Sequence, residues 1–174
     1  MVIMKDELKQ APQNKIYRPC VGVVLFNDDG HVFVGERLDS PGAWQMPQGG
    51  IENNEKVEDA LFRELGEEIG TELVEIIRVH EEILRYDLPT YLRNKLWGGR
   101  YFGQEQTWVA ARFLGMDSDI NINAYRFPEF RAWKWVSLNE ILDLIVPFKR
   151  ETYSEVITAF QDCEKAIRKE QQTS

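Results

Sequence analysis

Residues 49–71 read GGIENNEKVEDALFRELGEEIGT, and the rest of the chain is read outward from them. After the glycine pair, residues 55–69 carry a helical pattern. With Glu64 at 0° and about 100° per residue, Leu61, Phe62, Leu65 and Ile69 fall between roughly 60° and 160°. Glu64, Glu67 and Glu68 occupy the adjoining face, from roughly −60° to 40°. Like charges at i, i+3 and i+4 repel by roughly 0.2–0.5 kcal/mol per exposed pair. Water can absorb that cost on a solvated acidic face, and a bound cation can remove it. Glutamate oxygens are what a hard divalent ion prefers, and Mg²⁺ takes one or two carboxylates with water and phosphate oxygens. Gly49 and Gly50 let the backbone approach a ligand closely, and Glu55 adds a carboxylate near the helix start. Arg63 stands four residues before Glu67, at the spacing that pairs them and holds that carboxylate in one rotamer.

Upstream, YRPCVGVVLFN (17–27) is Val-rich and β-branched, as a buried strand is, and DDG (28–30) signals a turn. HVFVGERL (31–38) alternates like a hairpin partner, and DSPGAWQMPQGG (39–50) reads as a loop. Downstream, strand patterns run over 72–89, 105–115 and 130–137, with a long connection over 90–104. SLNE (137–140) is a capping box opening a short helix that Pro147 ends, and residues 150–168 form a last amphipathic helix. Strands and helices mix irregularly rather than alternating, which predicts an α+β sandwich. The expected organisation is a loose lead-in over 1–15, one domain over 16–165 and a polar tail over 166–174.

The chain has 174 residues, 43% hydrophobic and 29% charged, the profile of one globular domain. Its 21 Lys and Arg against 29 Asp and Glu leave a net charge of −8, which argues against DNA or RNA held by a broad basic face. A local basic pocket stays open. Segment 85–104 supplies one: Arg85, Arg93, Lys95 and Arg100 against Asp87, with Tyr86, Tyr91, Trp97, Tyr101 and Phe102 between them. Cations interleaved with aromatics suit phosphates and stacked bases, or a loop pinned to the core by its rings. Cys20 and Cys163 without a CxxC fit free thiols in a reducing cytoplasm, and His31 and His80 stand alone. No stretch is long and apolar enough for a signal peptide or a membrane span, so no membrane partner is expected. Nothing in the sequence identifies a protein partner.

Residues 49–71 resemble the Nudix box: glycine, five residues, glutamate, seven residues, then Arg-Glu-aliphatic-x-Glu-Glu-x-Gly-aliphatic. Gly49, Glu55, Arg63, Glu64, Leu65, Glu67, Glu68 and Gly70 fall in place. Thr71 stands where an aliphatic residue is usual, a departure expected to touch packing rather than chemistry. YRPCVGVVLFN, WQMPQGGI, LRYDLP, GQEQTW, PEF and FKRETY extend the resemblance over roughly residues 17–160. They are similar to the bacterial Nudix branch of RNA pyrophosphohydrolases and diadenosine tetraphosphate hydrolases.

The resemblance implies the Nudix fold, a mixed β-sheet sandwiched between helices (an α/β/α sandwich). It implies a Mg²⁺-dependent hydrolase, with Mn²⁺ able to substitute, that cuts a phosphoanhydride of a 5′-polyphosphorylated nucleotide. Two substrates stand open: a 5′-triphosphate RNA end, trimmed to the monophosphate, and diadenosine tetraphosphate, split to ATP and AMP. Glu64, Glu67, Glu68 and Glu129, with the Gly49 carbonyl, are the implied metal ligands. Glu67 is favoured as general base with Glu64 its rival, Arg63 supports them, and Glu55 positions the loop and helix. Arg18, Tyr86, Gln104, Phe148 and Lys149 match substrate-side positions, although Lys149 also fits a snorkelling helix-start residue. Trp44 is expected as a packing anchor, and Trp108, Trp133 and Trp135 as core. The alternative reading is a Nudix-fold module that senses a nucleotide without cleaving it, against which stand all three retained glutamates.

Overall fold

The computed structural model describes residues 14–174. The lead-in expected over 1–15 therefore lies almost wholly outside the described residues. An eight-stranded mixed sheet forms the middle layer. Its strands are β1 (Tyr17–Phe26), β2 (Val32–Arg37), β3 (Trp44–Gln45), β4 (Gln48–Gly50), β5 (Val74–Val79), β6 (Leu84–Asp87), β7 (Gly103–Phe113) and β8 (Phe130–Val136). β1 and β7 pair in parallel at the centre, from Tyr17 opposite Gly103 to Phe26 opposite Arg112. β2 and β4 join β1 antiparallel, and β5 and β6 join β7 antiparallel.

Alternation along β1 builds two cores. Val21, Val23 and Leu25 face α1 (Val57–Ile69), packing on Leu61, Leu65 and Ile69. Val24 and Phe26 face α3 (Ile141–Leu144) and α4 (Arg150–Thr173), packing with Ile141, Tyr153, Val156 and Phe160. A strand buried on both faces reads as a continuous apolar run, which is why 17–27 reads as a buried strand. The architecture is the expected α/β/α sandwich. Leu61, Leu65 and Ile69 are fully buried, each stabilising by about 1.5–3 kcal/mol, well above the roughly 0.2–0.5 kcal/mol of an exposed carboxylate repulsion. Packing therefore holds the helix despite its charge.

Four expectations change. The loop over 39–50 contains β3 and β4, which depend on partners distant in sequence. The strand pattern over 72–89 is two strands, β5 and β6, separated by a bend at residues 81–82, and both pair with β7. The connection over 90–104 holds a short helix, α2 (Thr90–Arg93), and a 3₁₀ turn, Trp97–Gly99, before β7 begins at Gly103. α4 continues through the segment expected as a polar tail, and Ile167 on it is buried against the sheet, so burial of one apolar stripe carries the helix on. The SLNE box forms as read: Glu140 Oε2 accepts from the Ser137 N–H at 2.7 Å and from its hydroxyl at 2.8 Å. Trp108 is fully buried; Trp133 and Trp135 are half-buried against the α1-side core. Trp44 is half-buried, packs on the α4-side core and carries the Lys134 ammonium 4.3 Å above its ring. Among the described residues no helix is long and apolar enough to cross a membrane.

Candidate active site

β4 brings the glycine pair beside the start of β1, with Val21 opposite Gly49 and Cys20 opposite Gly50. There it meets α1. A Cβ built on Gly49 would overlap the Glu64 carboxyl group, and one on Gly50 would lie 2.4 Å from the Arg18 guanidinium. The pair lacks side chains because an acid and a base close on it from opposite sides. At the far end of α1, Gly70 adopts φ 72° and stops the helix, and the Asn121 N–H satisfies the Ile69 carbonyl at 2.8 Å. Thr71 is buried just beyond, its Oγ1 accepting from the Leu73 N–H at 3.1 Å, so the departure from the motif serves packing as expected.

Arg63 is the hub of the carboxylates, and its tightest partners are not the one expected. Its guanidinium grips Glu55 through two bonds of 2.8 and 2.9 Å, donates to the Gly50 carbonyl at 2.7 Å and to Glu64 Oε1 at 2.8 Å. Glu67 lies 3.8 Å away, a looser ion pair. The planar fork matches Glu55 geometrically, and β4 supplies the carbonyl, so the sequential neighbour Glu67 loses the competition. Glu55 also accepts the Glu52 N–H at 2.8 Å, and these bonds hold its carboxyl down at about 2.

Glu64 and Glu68 are buried, at 8% and 3% exposure. Burial pushes the Glu64 carboxyl up, with Arg63 opposing. Burial, followed by repulsion from Glu64 and Glu129, pushes Glu68 well above the usual carboxylate range. Glu68 accepts the Gln48 N–H at 3.2 Å, a weak return for a buried charge. Glu129, exposed on the loop before β8, sits close enough to act on Glu68 electrostatically. These residues fit a hard divalent cation: oxygen donors only, buried beyond what their own partners compensate, beside a glycine that leaves room. Among the described residues no three acidic, His or Cys side chains form a ready-made ligand cage. Like charges keep such a cage apart, and Mg²⁺ needs only one or two direct carboxylates.

The parallel register sets the second half of the site. Arg18 lies opposite Gln104 and Cys20 opposite Gln106, and β6 aligns Tyr86 with Gln104. Gln106 Nε2 donates to Gln104 Oε1 at 2.9 Å and to Gln48 Oε1 at 3.0 Å, which links this face to the Glu68 loop. From the turn just before α4 come Phe148, 5.8 Å from the Tyr86 ring, and Lys149, whose Nζ lies 5.7 Å from that ring and 3.4 Å from Gln45 Oε1. Lys149 is 3% exposed and does not snorkel; burial lowers its ammonium to about 8. Tyr153 anchors the loop between β3 and β4, its hydroxyl accepting the Met46 N–H at 3.3 Å.

The sequence reading missed Arg37, Gln45, Gln48 and Gln106. Arg37 forks onto Asp39 at 2.8 and 2.6 Å and acts electrostatically on Lys149. Gln106 carried a legible signal, since two residues along a strand from Gln104 it must share that face. Gln48 directly precedes the glycine pair. Arg37 and Gln45 carried none, because strand pairing alone brings them to Lys149.

The match to known proteins agrees with this geometry. The NUDIX domain model covers residues 16–156, and the chain belongs to that family. Within it, the chain is 58% identical over 147 residues to the RNA pyrophosphohydrolase of Sphingopyxis alaskensis, spanning 83% of this chain and 92% of the relative. The fold is shared with the Escherichia coli dihydroneopterin triphosphate pyrophosphohydrolase, at TM-score 0.65 and 21% identity over 83% of this chain and 99% of that one. It is shared too with a Caenorhabditis elegans Ap4A hydrolase, at TM-score 0.57 and 20% identity over 82% and 98%.

Proposed function

We propose that the protein is a cytoplasmic, Mg²⁺-dependent pyrophosphohydrolase, with Mn²⁺ an alternative metal, acting on 5′-triphosphate RNA ends and releasing pyrophosphate. The observation that carries this reading is the buried, under-compensated pair Glu64 and Glu68, with Arg18 beside the glycine pair and close enough to act on Glu64, and Lys149 close enough to feel Glu68. Negative charge on one wall and positive charge on the other suit a cation between carboxylates and a polyphosphate. The 58% identical relative bears the name RNA pyrophosphohydrolase, which favours RNA over diadenosine tetraphosphate as the main substrate.

Glu64 and Glu68, with Glu67, Glu129 and the Gly49 carbonyl, would hold the cation. When bound, it neutralises the polyphosphate and makes attacking water more acidic. Glu67 accepts the water proton, because its side chain is 34% exposed and only loosely engaged by Arg63. Glu64 is fixed by a 2.8 Å bond to Arg63, is less free to take a proton, and serves as a ligand only. The water oxygen bonds to phosphorus, one anhydride P–O bond breaks, and pyrophosphate departs, leaving a 5′-monophosphate. Arg18 and Lys149 hold phosphate charge, Phe148 offers ring surface to the terminal base with the buried Tyr86 ring packed behind it, and Gln104 orients polar groups between them.

The test incubates the protein and Mg²⁺ separately with triphosphate-ended RNA and diadenosine tetraphosphate. Pyrophosphate from RNA at higher kcat/KM than ATP from the dinucleotide is the expected result. A reversed preference overturns the choice of substrate, and binding of both without products would make the protein a sensor.

A further inference from the structure

Residues 90–102, TYLRNKLWGGRYF, carry three cations and no acidic residue in a chain whose net charge is −8. With Lys15 and Ile16 just before β1, Arg93, Gly99, Arg100 and Tyr101 line a cavity of about 230 Å³ outside the hydrolytic site. The Arg93 guanidinium lies 3.5 Å over Phe102, and its Nε is buried with no partner among the described residues. Lys15 sits 4.2 Å over the same ring and holds an exposed ion pair with Asp87 at 3.1 Å, which a phosphate can share.

A strained turn joins this groove to the site. Trp97 adopts φ 48°, followed by Gly98 at 66° and Gly99 at 73°. Glycine takes that conformation freely, whereas a bulky side chain there is an outlier held by its surroundings. The consequence is a Trp97 ring 36% exposed, with the Arg18 guanidinium 4.8 Å from it on one side and Tyr101 6.0 Å away on the other. Gly50, Arg18, Trp97 and Tyr101 thus form one continuous line from the catalytic loop to the cationic groove.

We propose that this groove is a second nucleic-acid subsite, taking the single-stranded ribonucleotide chain 3′ of the nucleotide being trimmed. Phosphodiesters lie against Lys15, Arg93 and Arg100, and a base stacks on the exposed Trp97 ring, as backbone-tracking cations with aromatic platforms do elsewhere. The inference rests on RNA as the substrate, because a dinucleoside polyphosphate has no chain to enter the groove. It also explains how an acidic protein holds RNA: the contact is confined to one basic strip.

Two measurements test it. The first is anisotropy with a labelled 5′-hydroxyl RNA of about 12 nucleotides, which reports the groove without hydrolysis. Its affinity should fall with salt, each phosphate contact contributing about 0.7 to the logarithmic slope. Lys15→Ala/Arg100→Ala should flatten that slope by about 1.4 and weaken binding about tenfold. The second compares kcat/KM for triphosphate RNA of about 12 nucleotides with that for a triphosphate dinucleotide. Wild type should favour the longer RNA about tenfold, and the double variant should lose that preference while keeping its dinucleotide rate. Equal rates for both lengths in wild type, or an undiminished preference in the variant, overturn the subsite. If neither RNA is hydrolysed, the hydrolase reading fails, and the 12-mer affinities still decide for or against the groove. Should the double variant not fold, Arg100→Glu, at an exposed residue, should flatten the slope by about 0.7 and likewise lose the preference for the longer RNA.

Discussion

Replacing Glu55 by Gln tests the clamp that organises the catalytic loop. In the wild type, two bonds of 2.8 and 2.9 Å join Glu55 to Arg63, with the pair only 15% and 27% exposed. Charge-assisted bonds of this kind stabilise by about 1.5–3 kcal/mol. The depression of the Glu55 carboxyl from 4.5 to about 2 would correspond to a value just above that range. The pair lies at the protein's edge, where solvent screens it, so about 2 kcal/mol is the working figure. At about 2–4 °C per kcal/mol for a chain of this size, the variant should melt about 4–8 °C lower near neutral pH. The sign of the pH dependence follows from a lowered carboxyl. Its contribution is fully present above 4.5 and lost as pH falls toward about 2. Urea unfolding of both proteins from about pH 7 to about pH 3 should therefore show their difference shrinking by roughly half or more. A difference that stays constant over that range, or is absent at neutral pH, refutes the clamp.

Glu67→Gln should lower kcat about 10²–10⁴-fold with little change in melting temperature, as loss of a general base does; retained turnover removes the assignment. Glu68→Gln should melt higher than wild type without metal. The wild-type carboxyl is raised, so its charged form carries a penalty that is absent below the ordinary 4.5 and grows above it. Mg²⁺ at about a hundred times its Kd should stabilise wild type by about 2.7 kcal/mol, about 5–11 °C, and Glu68→Gln should lose most of that gain in differential scanning fluorimetry. Arg18→Ala should raise KM more than it lowers kcat; a collapse in melting temperature would instead mark Arg18 as structural.

The helix 57–69, its apolar stripe and its acidic face were legible because they are local: the 3.6-residue period is written in consecutive side chains. β1, β7 and β8 were legible for the same reason, as was the shared face of Glu64, Glu67 and Glu68, which occupy about one turn of helix. Pairing was not. Arg63 and Glu67 satisfied the i, i+4 rule, yet Glu55 and the Gly50 carbonyl hold the guanidinium because β4 folds onto β1 beside it. β3 and β4, two and three residues long, have too little internal pattern to read and exist through partners far along the chain.

By itself, the sequence determined which side chains could ligate a cation and which helix face they share, since helical geometry admits one answer. The tertiary structure alone decided which acids are buried, which basic groups face them and where Lys149 goes. Those depend on desolvation and on contacts between residues as far apart as Gln45 and Lys149, and no local period encodes them.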